Sequence, residues 1–254
     1  VHIHIDNGPD SVMNPVTGQT WGGLSRANQV GFQQHTGSFS GDNYNWSAFD
    51  AVKGANFEAA RAPVFRYALS ANRYGSADNT SSGVARDITS SDFIVSLGSW
   101  CQPEGQCLPG NLAQAGTFMH ELGHTLGLRH GGQVDTNRVT NYLSIMNYLF
   151  QTTGLDGINT VVDYSRFSSA DLATLDESAL DVGTGFGPAG AALFSYTTLL
   201  RCNQLLGPDY WQVTPIAGVE DFNCDNDVLD MADEDLNDDG QKTTLASYDD
   251  WKSL

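Results

Sequence analysis

The chain has 254 residues, with 12 Lys and Arg against 30 Asp and Glu, a formal net charge of −18, and 40% hydrophobic residues. It is too apolar for a disordered chain and lacks the run of ~20 apolar residues that spans a bilayer. Its negative field opposes polyanionic partners. The expectation is a soluble, monomeric protein, one large domain or two lobes on a shared core, with neither nucleic acid nor membrane as partner.

Taken in chain order, residues 1–6 (VHIHID) alternate and read as a strand already in place, so an export signal or pro-segment is expected to have been removed or trimmed. Residues 7–45 are rich in Gly, Asn and Ser and read as a long ordered loop. Residues 47–60 place Phe49, Val52 and Phe57 on a helical face, and residues 63–70 and 93–97 read as strands. The strongest helical signal covers 111–126, with Leu112, Ala115, Phe118, Met119, Leu122 and Leu126 on one side, Asn111 as N-cap and Gly127 as stop. Residues 169–180 read as a helix, and 191–200 as helix or strand. No sequence repeats are evident. Any boundary is expected near Gly131–Gly132, dividing an N-terminal lobe (1–130) from a C-terminal lobe (131–254) of one catalytic unit.

Residues 120–130 read HELGHTLGLRH. Four residues make about one helical turn, so His120 and His124 can aim at a common ion. Glu121 stands beside them to take a proton from metal-bound water without being a ligand. Gly127 lets the chain leave the helix and bring His130 round as a third ligand, which leaves a coordination place open. With this chain's composition, five such fixed residues arise by chance in about one sequence in a hundred thousand.

The pattern resembles the metzincin clan of zinc peptidases, whose HExxHxxGxxH signature is followed by a methionine-containing turn. Residues 144–148 read SIMNY, with Met146 sixteen residues beyond His130. The segment looks most like serralysins and matrixins, and is similar to secreted bacterial metalloproteases that carry a comparable LRHGG segment. Gly131 departs from the Glu of astacins and the Pro of serralysins. The resemblance implies an α+β, two-lobed catalytic domain with a twisted, mostly parallel sheet, an active-site helix and an irregular C-terminal lobe. It also implies a secreted zinc endopeptidase whose Met146 underlies the metal without ligating it. Tyr148 would bind the metal at rest and stabilise the oxyanion. The protein or peptide substrate would lie extended in the cleft, paired with residues 93–97 as an edge strand. A recognition module that keeps zinc without cutting, and a zinc amidase acting on a non-peptide substrate, are the alternatives.

Four cysteines at spacings foreign to zinc ribbons suggest two disulfides in an oxidising compartment. Three pairings are possible. Cys101–Cys107 and Cys202–Cys224 are expected, because a Pro/Gly-rich loop can close the first locally. The tail holds Asp235-Leu236-Asn237-Asp238-Asp239-Gly240, the start of a calcium loop, with Asp235, Asn237, Asp239 and the Gln241 carbonyl as ligands. Ala246 stands where such a loop usually closes on Glu, and Asp225 and Asp227 form a reserve set.

Overall fold

Aromatic crowding organises the first half of the chain. α1 (Ser47–Asn56) turns Phe49 fully inward, where it meets Trp46 and Tyr67 edge-on at centroid distances of 5.0 and 5.6 Å. The computed structural model describes residues 30–100, 110–156, 161–187, 196–201, 211–216, 219–227 and 230–254. The chain forms two compact units, Val1–Arg86 with Ser91–Leu108, and Asp87–Ser90 with Pro109–Leu254. This division falls before the helix of the zinc motif, not after it, so that helix belongs with the second unit. The expected strand at 1–6 and most of the loop after it lie outside the described residues.

In the first unit a hairpin of β1 (Ser38–Ser40) and β2 (Asn43–Asn45) precedes α1. A three-stranded sheet follows, built from β3 (Tyr67–Ser70), β4 (Gly83–Ala85) and β5 (Asp92–Val95) in the order β3-β5-β4. Phe49, Leu69, Tyr74 and Ile94 form the core. The expectation that residues 93–97 make an edge strand is corrected here: β5 lies in the middle, parallel to β3 and antiparallel to β4. Phe93 and Ile94 are consecutive and both buried, a pattern that suits a strand covered on both faces. The β3–β5 ladder is also the one parallel pairing among the described strands, against the mostly parallel sheet expected.

The second unit opens with α2 (Gly110–Leu126), which begins one residue ahead of the expected cap Asn111. Short antiparallel ladders follow: β6 (Leu175–Asp176) with β11 (Thr244–Leu245), β7 (Leu180–Asp181) with β10 (Met231–Ala232), and β8 (Thr197–Arg201) with β9 (Trp211–Pro215). The chain ends in α3 (Asp250–Ser253). The helix expected over 169–180 is not formed. Asp171 accepts from the N–H and hydroxyl of Ser168, and Asp176 from those of Ser178. Such local bonds hold turns against a helix. Within 191–200, residues 197–200 are strand.

The core of this unit gathers Tyr142, Ile145, Met146, Leu172, Phe186 and Phe222. α2 meets its neighbours at glycine. A Cβ on Gly116 would lie 1.9 Å from the Gln151 carbonyl oxygen, and one on Gly123 2.2 Å from Met146 Sδ. Among the described residues no helix is long and apolar enough to cross a membrane.

Candidate metal centre

α2 stops as the glycine predicts. Gly127 adopts φ 105°, its N–H donates to His124 O at 3.0 Å, and the Leu128 N–H reaches back to Gly123 O at 2.9 Å. These bonds satisfy carbonyls that a helix end leaves open. A tight turn follows, with Arg129 and Gly132 exchanging backbone bonds of 2.8 and 3.1 Å, and it returns His130 toward the helix. The rings of His120, His124 and His130 then stand with centroids 4.7 to 5.3 Å apart. One ligand atom from each lies within 4.8 Å of the others, so the three form a group that can hold a metal ion.

The proton positions sharpen this. His120 Nδ1 lies 3.0 Å from Ile145 O, and His124 Nδ1 lies 2.9 Å from Leu128 O. A carbonyl oxygen only accepts, so each Nδ1 carries its ring's proton and each Nε2 presents a lone pair. The two Nε2 atoms are 3.1 Å apart. Neither ring supplies a second proton. Burial, with His124 alongside, pushes His120 down to about 3, and burial lowers His124 as well. Burial and the proximity of His124 take His130 down to about 4. Two buried acceptors therefore face one another, an arrangement that a cation between them satisfies. Their separation is close to the ~3.3 Å edge of a tetrahedron with metal–nitrogen bonds of ~2.05 Å.

The other expected residues take distinct places. Glu121 is buried on α2 next to His120. Met146 is fully buried, packed against the helix at Gly123 between the two helical histidines. Tyr148 is about half exposed, with its ring centroid 4.4 Å from that of His130 and 5.4 Å from that of His120.

The acidic segment 235–241 folds back on its own side chains. Asp235 accepts from Asp239 N (3.2 Å) and Gly240 N (2.9 Å), and Asn237 Oδ1 accepts from Asp239 N (3.2 Å). Fourteen residues earlier the same pattern occurs. Asp221 accepts from Asp225 N (3.2 Å) and Asn226 N (2.9 Å), and Asn223 Oδ1 accepts from Asp225 N (3.4 Å). Cys224 and Asp238, at equivalent positions, both have φ 58°. The segment thus contains a structural repeat, and its first copy is the alternating ladder Asp221, Asn223, Asp225 and Asp227. Comparing the spacing Asp-x-Asn-x-Asp in 221–225 with that in 235–239 exposes it.

Cys224 is disulfide-bonded, and no described cysteine is free. Cys101, Cys107 and Cys202 lie outside the described residues, so both expected pairings remain expectations. Sequence reasoning missed two residues near the metal centre. Tyr164 donates its hydroxyl to Met119 O on α2 at 2.6 Å, and Asp250, counted with the acidic tail, is fully buried beneath the Met146 turn. An aspartate beside Trp251 in a final helical turn is the only local signal for the latter. No family model, curated protein or solved structure matches the chain, so the assignment of this centre rests on its own residues.

Proposed function

We propose that the chain is a secreted zinc-dependent endopeptidase of the metzincin kind that HELGHTLGLRH and SIMNY resemble. The observation that carries this reading is the pair of lone-pair-bearing Nε2 atoms of His120 and His124, 3.1 Å apart, with the His130 ring closing the group. Three neutral imidazoles suit zinc better than hard cations and leave a place for water or substrate. When bound, such an ion supplies Lewis-acid polarisation of a carbonyl and acidifies a water. The chain's own share is proton handling. Glu121 accepts the proton of the attacking water and passes it to the leaving amine. Tyr148, exposed beside His130, donates a hydrogen bond to the developing oxyanion. The partner is a protein or peptide, and the disulfide at Cys224 favours an extracellular setting.

The finer metal content extends to calcium. Carboxylates and amide oxygens turned round a Gly-kinked loop suit a hard cation, with Asp235, Asn237, Asp239 and the Gln241 carbonyl as its oxygens.

Glu121→Ala tests the reading. It should retain one zinc per chain by elemental analysis while cleavage of a denatured protein mixture falls roughly 10²–10⁴-fold. Cleavage at the wild-type rate would remove Glu121 from the mechanism. Zinc binding by the wild-type chain without any proteolysis would favour the recognition module or the amidase.

A further inference from the structure

Asp250 opens α3 at the end of an acidic tail, yet its side chain is 0% exposed. Its Oδ1 accepts from the Tyr142 hydroxyl at 2.6 Å, and its Oδ2 accepts from Ser144 Oγ at 2.6 Å and from Ser165 N at 2.9 Å. The carboxylate accepts from all three partners, two hydroxyls and one backbone N–H. Ser144 Oγ in turn accepts from Met146 N at 3.1 Å. A continuous chain of bonds therefore runs from Met146 N–H through the Ser144 hydroxyl to Asp250.

Ile145 lies between Ser144 and Met146. Its N–H donates to Asp163 O at 2.9 Å, and its carbonyl receives His120 Nδ1 at 3.0 Å. The next residue of α3 braces the same segment, since Trp251 Nε1 donates to Asp163 Oδ1 at 2.9 Å. The carbonyl that selects the tautomer of His120 is thus held by residues that α3 anchors. A partner that orients a ligand through its second nitrogen changes metal affinity when it moves.

We propose that Asp250 is a positioning residue for the metal centre, clamping the 142–147 turn so that the Ile145 carbonyl fixes the ring of His120. This rests on the reading of His120, His124 and His130 as a zinc site. Asp250 touches neither metal nor substrate and acts through Ser144 and Ile145. An amide of equal size keeps the bonds from Ser144 and Ser165 only by turning its NH2 toward the Tyr142 hydroxyl, so the Tyr142 bond must reverse and the carboxylate charge is lost.

The test compares Asp250→Asn and Ser144→Ala with Leu172→Ala, a buried core truncation that serves as a control for general loosening. Zinc dissociation constants come from chelator competition, and the visible bands of the cobalt-substituted proteins report ligand geometry. Asp250→Asn and Ser144→Ala should each bind zinc roughly 10–100-fold more weakly and shift the cobalt bands. Leu172→Ala should match the wild type in both readouts at a comparable loss of melting temperature. Ser144→Ala removes only one hydroxyl, so the test does not depend on Asp250→Asn folding well. Wild-type zinc affinity in both variants overturns the proposal, as does equal weakening in Leu172→Ala. A wild-type chain that binds no zinc instead overturns the metal reading on which the proposal rests.

Discussion

His120 and His124 each spend their one N–H on a backbone carbonyl, and that choice decides what the centre does with protons. Both Nε2 atoms are left as acceptors, and burial resists adding a proton to either. The sign of the pH effect follows. An ordinary imidazole with pKa near 6.5 is about one-tenth neutral at pH 5.5, so three of them competing with protons lose ~10³-fold in metal affinity relative to neutral pH. Here the folded pKa values lie below the unfolded ones, with His120 at about 3 and His130 at about 4. The folded chain therefore keeps His120 and His130 largely neutral between about pH 4 and 6.5, and burial acts on His124 in the same direction. Burial raises Asp250 to about 6, so that clamp also protonates by pH 5.5, and zinc affinity measured at pH 7 and pH 5.5 should differ by less than about a hundredfold. A thousandfold loss would mean that the histidines titrate as if exposed. By linkage the same groups make the metal-free fold less stable as pH falls below 6.5, because the unfolded chain takes up the protons first.

α2 is where local and tertiary demands on one element meet. Ala in place of a helical Gly usually stabilises by about 1 kcal/mol. At Gly123 the added Cβ would stand 2.2 Å from Met146 Sδ and 3.0 Å from Tyr164 Cε1, both fully or almost fully buried. Overpacking of this kind costs about 1–3 kcal/mol, so it should outweigh the propensity gain. Gly123→Ala is expected to lower the melting temperature of the metal-free protein, and a rise would show that Met146 has room to leave. This contrast marks what was legible in the sequence. The histidine-bearing helix and its glycine stop could be read because 3.6-residue periodicity and the spacing of His120, His124 and His130 are local properties. The reasons for Gly116 and Gly123 could not, since each answers to a segment that arrives twenty or more residues later. Non-local pairing likewise put β5 in the middle of its sheet, and turned residues 169–180 from an apparent helix into turns with β6 and β7. Asp250 was hidden for the same reason, being an acidic residue among acidic residues until Tyr142, Ser144 and Ser165 surround it.

At the scale of the whole molecule the dominant quantity is charge, −18 over 254 residues, and residues 221–250 hold ten Asp and one Glu against Lys242 alone. Such density destabilises a folded surface through mutual repulsion. Much of it is nonetheless organised. The two loops at 221–227 and 235–241 turn their carboxylates onto their own backbone N–H groups in matching patterns. Glu177 secures the second from below, accepting from Leu236 N at 2.7 Å and Thr243 N at 2.8 Å, and β11 then pairs with β6. With both carboxylate oxygens so engaged, Glu177 braces the loop and does not replace the closing glutamate absent at Ala246. A cation held by Asp235, Asn237 and Asp239 would offset the repulsion while leaving that brace intact. Binding to the folded chain alone should raise stability with the logarithm of free calcium, by about 2.7 kcal/mol at a hundred times the dissociation constant. The measurement is a thermal melt of the zinc-loaded protein across calcium concentrations, repeated for Asp235→Ala and Asp221→Ala. A rise abolished by Asp235→Ala alone assigns calcium to the second loop, and a rise reduced by each variant assigns it to both. A melting temperature indifferent to calcium in the wild type would leave the two loops as self-capped turns on a solvated acidic surface.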